Sequence, residues 1–100
     1  MSKLYLFPVS LNSINLARKH APDICDNIRR SYPDCRYLEK VGQVINGSKV
    51  IHLATRLPAV FRIIDDKRPA TDERELIANV TSCLDLRGIE YKEPLVLRRA

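Results

Sequence analysis

The stretch His52-Leu53-Ala54-Thr55-Arg56-Leu57-Pro58-Ala59-Val60-Phe61-Arg62-Ile63-Ile64-Asp65 decides the fold of this chain. From Leu57 to Ile64 it has the β-branched and aromatic content of a buried strand. Proline has no backbone N–H to donate to a neighbouring strand, so within a sheet it is expected at the first position of a strand. The sequence therefore predicts a core strand that begins at Pro58.

The residues before this strand allow two interpretations. In the first, residues 44–45 and 50–51 are the arms of a β-hairpin, because Asn46-Gly47 is a strong turn signal between apolar residues. In the second, a short helix occupies residues 49–55 and leads into the strand at Pro58. The choice between hairpin and helix decides the architecture.

The N-terminal half predicts a strand, a helix and a second strand. Residues 3–9 and 35–41 alternate apolar and polar side chains, as strands do. Between them, apolar residues recur at helical spacing from Ile14 to Tyr32, and Pro22 inside this run predicts a kink or a break. The N-cap of this helix is assigned to one of three polar residues, Ser10, Asn12 or Ser13.

A second helix and a C-terminal strand or tail complete the chain. Thr71 is the predicted N-cap, and Gly88 is the predicted left-handed stop, with Ile89 covering the helix end. Residues 90–97 alternate enough for a short strand, but Pro94 limits it to the edge of a sheet or to a tail. We therefore expect a core over residues 3–88 and an edge strand or tail over 89–100.

Length and composition predict one small intracellular domain. One hundred residues with 45% hydrophobic content can bury a single core. The sequence has no apolar run near the ~20 residues that span a bilayer and no signal-peptide pattern, so we expect a cytoplasmic protein without membrane contact. Cys25, Cys35 and Cys83 are widely spaced and include no C-x-x-C, which predicts reduced thiols and no zinc site.

The helix interpretation gives the order β-α-β-α-β-β-α, and two short motifs resemble proteins with the thioredoxin fold. The segment from Ala54 to Phe61, with Pro58 before a core strand, is similar to the place where those proteins carry a cis-proline. Ala21-Pro22 and the amphipathic half-helix after it resemble their proline-kinked first helix. The expected fold is therefore α/β and thioredoxin-like with a C-terminal extension, and the alternative is the ferredoxin-like β-α-β-β-α-β plait.

Redox chemistry of the thioredoxin type is not expected. The chain has Ser10-Leu11-Asn12-Ser13 where redox members of that fold carry C-x-x-C, and a serine supplies no thiolate. Residues 3–6, residues 10–13 and the segment Leu84-Asp85-Leu86-Arg87 are similar to the KaiB family of circadian clock proteins and to KaiB-like sensory domains. That resemblance implies a redox-inactive regulator or adaptor that works by binding a protein.

We predict a protein-binding module and identify no catalytic constellation, cofactor or metal site. A protein partner is expected, and self-association is open. Pro58 is the structural pivot of this interpretation. The candidate binding surface comprises polar loop residues, helix cations and one residue beside the proline: Ser10, Asn12, Ser13, Arg18, Lys19, Arg29, Arg30 and Leu57.

Two other functions stay open at this point. The net charge of +5 and the cations of the first helix fit an RNA-binding plait whose strand aromatics stack on bases, although core packing is the simpler role for those aromatics. The aromatics in question are Tyr5, Phe7, Tyr37 and Phe61. The third hypothesis is a thiol enzyme that uses Cys25 or Cys35.

Overall fold

Seven elements of secondary structure form an α/β fold with one four-stranded sheet and two helices. The computed structural model describes residues 3–46, 49–66 and 72–98, and for 43–46, 49–56 and Arg98 it describes the backbone alone. In chain order the elements are β1 (Lys3–Pro8), a 3-10 turn (Leu11–Ser13), α1 (Ile14–Arg29), β2 (Asp34–Asn46), β3 (Lys49–Asp65), α2 (Glu73–Leu86) and β4 (Leu95–Arg98).

The sheet is antiparallel throughout, with strand order β2-β3-β1-β4. Strand β3 lies between β1 and β2, and β4 lies on the far side of β1. Helix α1 therefore connects two strands that run in the same direction and are separated by the strand between them. The two edges of the sheet are β2 and β4.

The expected helix over residues 49–55 is wrong, because these residues belong to strand β3. Strands β2 and β3 form a long hairpin whose last pair is Asn46 with Lys49. Of the turn signal Asn46-Gly47, Gly47 lies outside the described residues, as does Ser48. The chain therefore has the element order β-α-β-β-α-β, in which apolar residues on both sides of Asn46 serve as hairpin arms.

The prediction that a strand begins at Pro58 is also wrong, because β3 begins at Lys49 and runs through the proline. The pairs Glu39–Ala59 and Val41–Leu57 continue on either side, but the ladder skips the position of Lys40 and Pro58. Lys40 has a positive φ of 59°, so its backbone has left the regular strand conformation. Pro58 thus lies where no regular hydrogen bond from its nitrogen is needed.

A second irregularity follows along the same hairpin. Residues 34–41 pair with 57–64, whereas residues 43–46 pair with 49–52, so the register shifts between Val41 and Gln43. Gly42 alone stands against residues 53–56 of β3. Extra residues on one strand form a β-bulge, which bends a hairpin and increases its twist.

Both faces of the sheet bury apolar side chains. The face toward the helices packs the side chains of Tyr5, Phe7, Phe61 and Ile63 against α1 and α2. The opposite face has a separate cluster, built on Leu4, Leu6, Val41 and Val60. Residues of β1 and β3 alternate between the two clusters, as the period of two in a strand requires.

Helix α1 continues through Pro22 without the break that the sequence allowed. Helix α2 begins after Asp72, whose side chain accepts a hydrogen bond from the backbone N–H of Arg74 at 2.9 Å, so Asp72 is the N-cap. The predicted cap, Thr71, lies outside the described residues. The predicted stop is confirmed: Gly88 has φ of 69°, and Ile89 N donates to Leu84 O at 3.0 Å.

The C-terminal segment forms an edge strand, which is one of the two alternatives, strand or tail, that the sequence predicts. Strand β4 begins directly after Pro94 and pairs with β1. Neither described helix has the length and apolar content that crossing a bilayer requires.

Candidate binding surface at the Glu90 cleft

Glu90 is held by three residues of the β1–α1 loop. The backbone N–H of Ser10 donates to Glu90 O at 2.9 Å, and the amide of Asn12 donates from Nδ2 to Glu90 Oε2, also at 2.9 Å. The backbone N–H of Glu90 donates to Ser13 Oγ at 3.0 Å. Three of the predicted surface residues therefore meet at one residue, which the sequence analysis did not single out.

These contacts correct the predicted role of the two serines. Ser10 and Ser13 occupy the N-cap positions of the 3-10 turn and of α1, but neither side chain makes a capping hydrogen bond. The hydroxyl of Ser13 is buried and accepts from Glu90 instead. The loop is therefore fixed by the segment that follows α2, and not by local capping.

An open cleft of about 600 Å³ lies beside this cluster, which we call the Glu90 cleft. It is lined by Ser10, Asp85, Gly88, Ile89, Glu90 and Tyr91. Two further contacts brace its walls: Val9 forms a bridge with Tyr91, and Lys92 N donates to Pro8 O at 2.8 Å. The cleft is thus built on backbone hydrogen bonds and is preformed.

The carboxylate of Asp85 faces the ring of Tyr91 across the cleft. Tyr91 Oη lies 3.4 Å from Asp85 Oδ2, to which it donates a hydrogen bond. Partial burial of the ring and the nearby Asp85 carboxylate both raise the pKa of Tyr91. Tyr91 therefore stays protonated at neutral pH, and the charge presented by the cleft is negative, from Asp85 and Glu90.

Two leucines beside the cleft are exposed far more than their apolar character favours. Leu11, next to Ser10 in sequence, is 76% exposed, and Leu86, next to Asp85, is 83% exposed. Both neighbours line the Glu90 cleft. A partner protein that covered these two side chains would remove apolar surface from water, so Leu11 and Leu86 are candidates for a binding surface.

The predicted cations of α1 do not join this cleft. Arg18 donates from Nε and Nη2 to Glu39 Oε1 of β2, and Arg29 donates from Nε to Cys35 O at 3.0 Å. Lys19 and Arg30 are exposed and make no ion pair with any described residue. The predicted surface is therefore divided, with half of its cations occupied by other residues of the chain.

Leu57, the last predicted surface residue, lies in β3 and packs against the apolar cluster on the sheet face that points away from the helices. The sequence placed it beside Ser10 only through the thioredoxin-like interpretation of Pro58. The described contacts give it a packing role.

The strand aromatics do not form a stacking platform. Tyr5, Phe7 and Phe61 are fully buried between the sheet and the helices. Tyr37 is half-buried, and its ring centroid lies 4.9 Å from that of Phe61. Bases cannot reach rings that are covered by α1 and α2, so the predicted use of these aromatics for base stacking is wrong, and their alternative role in the core is confirmed.

Within residues 3–46, 49–66 and 72–98, no group of three or more His, Cys, Asp or Glu side chains is placed so that it could hold a metal ion. His20 is half-buried on α1, and the side chain of His52 lies outside the described part of the chain.

Comparison with protein-family models and with curated proteins finds no match for this chain. The similarity to the KaiB family therefore remains a prediction from the sequence.

Leu11 and Leu86 could have been found from the sequence by two signals, and Glu90 could not. Leu86 follows the core positions of α2 but falls outside their helical stripe, because Leu76, Val80 and Leu84 face the sheet. Leu11 is an apolar residue between polar loop residues. Glu90 had no local signal, since its partners are 77 to 80 residues away in sequence.

Proposed function

We propose that this chain is a small, non-catalytic domain that binds another protein through the Glu90 cleft and its two exposed leucines. The observation that carries the proposal is the exposure of Leu11 and Leu86, at 76% and 83%, each next in sequence to a residue that lines the Glu90 cleft. A partner that covered these two apolar side chains would remove them from water, which favours a binding role.

We infer that the fold is the split β-α-β, or ferredoxin-like, plait. The element order β-α-β-β-α-β and the antiparallel order β2-β3-β1-β4 support this class. The thioredoxin-like alternative needs a helix in the region that β3 occupies. The plait hosts many unrelated functions, so the function is argued from the cleft and not from the fold.

The chemistry of the cleft suggests the partner. Asp85 and Glu90 place two carboxylates in the lining of the cleft, and Leu11 and Leu86 follow the lining residues Ser10 and Asp85 in sequence. A complementary segment has one or two aliphatic residues next to Lys or Arg, because opposite charges at a rim steer association and select against acidic partners. We therefore propose a basic, aliphatic segment of a partner protein as the occupant.

Selection from a random peptide library displayed on phage tests this directly. With the wild-type chain as bait, we expect enrichment of peptides in which Lys or Arg flanks an aliphatic residue. A synthetic copy of an enriched peptide is then titrated, by fluorescence anisotropy, against the wild type and against the double variant Leu11→Ser/Leu86→Ser. We expect binding to weaken by about tenfold or more, since each lost apolar contact is worth about 1–2 kcal/mol.

The matched control is Leu95→Ser, because Leu95 is 39% exposed, lies on β4 and is not among the residues that line the cleft. It should leave affinity for the peptide unchanged, whereas Asp85→Asn should reduce the preference for basic peptides. Equal binding by the double variant, or no enrichment at all, would contradict the proposal. Sedimentation that shows a dimer of the wild type and a monomer of the double variant would mean instead that the occupant is a second copy.

A further inference from the structure

Two of the three cysteines lie against each other inside the molecule. Cys25 is on α1 and Cys35 is on β2, and their sulfur atoms are 3.9 Å apart. They are 4% and 1% exposed, and both are free thiols. Their spacing of ten residues gave no motif, yet the apolar stripe of α1 and the inward alternation of β2 bring them together.

The two thiols are not equivalent. Cys35 Sγ donates to Cys25 Sγ, so any negative charge is best placed on Cys25. This hydrogen bond and the positive charge of Arg29 lower the pKa of Cys25 to about 7, although burial acts in the opposite direction. The same hydrogen bond and burial raise the pKa of Cys35. The geometry therefore places a thiol with a lowered pKa beside a second thiol, which is the arrangement of a nucleophile and a resolving cysteine.

The surroundings admit only small reagents. Cys35 lies in the wall of an open cleft of about 440 Å³, together with Arg29 and Arg36. Hydrogen peroxide is little larger than water and can enter such a space, whereas a bulky disulfide cannot reach sulfur atoms that are this deeply buried. Cys25 does not line this cleft, so peroxide must reach it through a small local opening beside Cys35.

We propose that Cys25 and Cys35 are a peroxide-sensitive dithiol, which a hydroperoxide converts into a disulfide between α1 and β2. In the first step the Cys25 thiolate attacks one peroxide oxygen: an S–O bond forms, the O–O bond breaks, and the leaving hydroxide takes a proton to become water. In the second step the Cys35 sulfur attacks the Cys25 sulfenic acid: an S–S bond forms, the S–O bond breaks, and hydroxide leaves with the Cys35 proton as a second water. Two thiols and one hydroperoxide thus give one disulfide and two waters when the oxidant is hydrogen peroxide.

This site is independent of the Glu90 cleft, and the oxidation would tie the end of α1 to the start of β2. A disulfide needs sulfur atoms at about 2.05 Å, so the two side chains must approach by about half of their present separation. That movement is small enough for a change of rotamer and a slight shift of the helix.

Peptide mapping after peroxide treatment tests the proposal on the unmodified chain, with Cys83 as an internal control. Cys83 is more exposed than the pair, so exposure alone predicts that it reacts first. We expect limiting hydrogen peroxide to join the peptides that contain Cys25 and Cys35, with loss of two hydrogen atoms, while Cys83 stays open to alkylation. Treatment with dithiothreitol should restore both thiols. Oxidation of Cys83 before the pair, or separate over-oxidation of Cys25 and Cys35 without a disulfide, would overturn the proposal.

Three variants assign the roles of the cysteines. Cys35→Ser should stop at a Cys25 sulfenic acid, which dimedone traps when it is added together with a denaturant. Cys25→Ser should leave Cys35 unreacted, and Cys83→Ser should oxidise as the wild type does. Rapid oxidation of Cys35 in the Cys25→Ser variant would overturn the assignment. Circular dichroism checks that each variant is folded. If a variant with a replaced core cysteine does not fold, the peptide mapping of the wild type decides the proposal.

Arg29 is a positioning residue in this scheme, and the pH dependence of the reaction tests that role. With Arg29→Gln, peroxide oxidation should slow a few-fold at pH 7 and match the wild type at pH 9, where the thiolate forms without help. Arg29→Lys keeps the positive charge and should recover most of the rate at pH 7. Equal rates for wild type and Arg29→Gln at both pH values would exclude this role.

Discussion

Arg18 of α1 holds Glu39 of β2 by two hydrogen bonds to a single oxygen, from Nε at 3.1 Å and from Nη2 at 2.7 Å. This contact joins the first helix to the edge strand of the sheet, and Tyr37 Oη adds a third hydrogen bond to the same oxygen at 3.3 Å. Arg18, which was predicted to be in a binding surface, is therefore engaged in a contact between two elements of the fold.

Replacing Glu39 by Gln tests this contact through its pH dependence. The hydrogen bonds and charge of Arg18 lower the pKa of Glu39 below its ordinary 4.5. The stabilisation is therefore present above pH 4.5 and is lost as the pH falls through the lowered pKa. Urea midpoints at pH 7 and pH 3 should show a small loss for Glu39→Gln at pH 7 and a smaller one at pH 3. Glu93→Gln, at another exposed glutamate, is the control, and a difference of the same size at both pH values would contradict the role of the charge.

Tyr37 predicts a loss of stability in alkaline solution. Burial against the core and the neighbouring Glu39 carboxylate raise its pKa from 10.0 to about 12. Between these values the unfolded chain loses the proton and the folded chain keeps it, so stability is complete below pH 10 and falls as the pH rises to about 12. The difference in phenolate absorbance between the wild type and Tyr37→Phe isolates the titration of Tyr37. In the folded protein this difference should appear near pH 12. Titration of that signal near pH 10 would contradict the prediction.

Phe61 should be among the most costly residues to truncate. It is fully buried in β3, in the cluster between the sheet and the helices, and its ring centroid lies 4.9 Å from that of Tyr37. Phe61→Ala should lower the free energy of unfolding by about 3–5 kcal/mol, and Phe61→Leu by less, because the cavity is smaller. Urea unfolding measures both, with Leu95→Ala as a surface control that should change by no more than about 0.5 kcal/mol. A loss below about 1 kcal/mol for Phe61→Ala would show that the ring is not in the core.

Gly88 should resist replacement because of its backbone and not because of its surroundings. A Cβ at this position meets no atom within 4 Å, yet φ is +69°. Gly88→Ala should therefore cost about 1–2 kcal/mol in unfolding experiments, and Gly88→Asn less, since Asn tolerates the left-handed conformation better. Equal stability of the Ala and Asn variants would mean that the helix end rearranges.

The RNA-binding alternative predicts salt-dependent binding of an oligonucleotide. With the strand aromatics buried and half of the α1 cations occupied, we expect no sequence preference in anisotropy titrations of labelled single-stranded RNAs. Any binding at about 50 mM salt should fall steeply by about 200 mM and should weaken in Lys19→Gln/Arg30→Gln. Arg18→Gln is the matched control, because Arg18 is bound to Glu39. Tight binding of one RNA sequence at the higher salt would support the alternative.

The fold was predictable in its parts more than in its order. Strand alternation located β1 and the start of β2, and Gly88 with Ile89 marked the end of α2, because these signals act between residues that are close in sequence. Pro58 led to a wrong prediction, because a proline inside a strand is uncommon. The strand accepts Pro58 here because the opposing residue, Lys40 of β2, has a positive φ and leaves the regular ladder.

The candidate site was only partly predictable for the same reason. Ser10, Asn12 and Ser13 were expected at a surface, but their common partner, Glu90, lies near the other end of the chain. The contact between Cys25 and Cys35 likewise could not be predicted without knowing how β2 packs against α1. Side chains that meet only through tertiary structure leave no spacing signal in the sequence.

The two apolar clusters on opposite faces of the sheet couple the whole fold. Strand β1 contributes Leu4 and Leu6 to one cluster and Tyr5 and Phe7 to the other, and it has a neighbouring strand on each side. Its amide hydrogens can exchange with solvent only when both clusters open together. Unfolding should therefore be cooperative, with the slowest amide hydrogen exchange along β1. A destabilising substitution in either cluster should also increase exchange at residues of the other cluster.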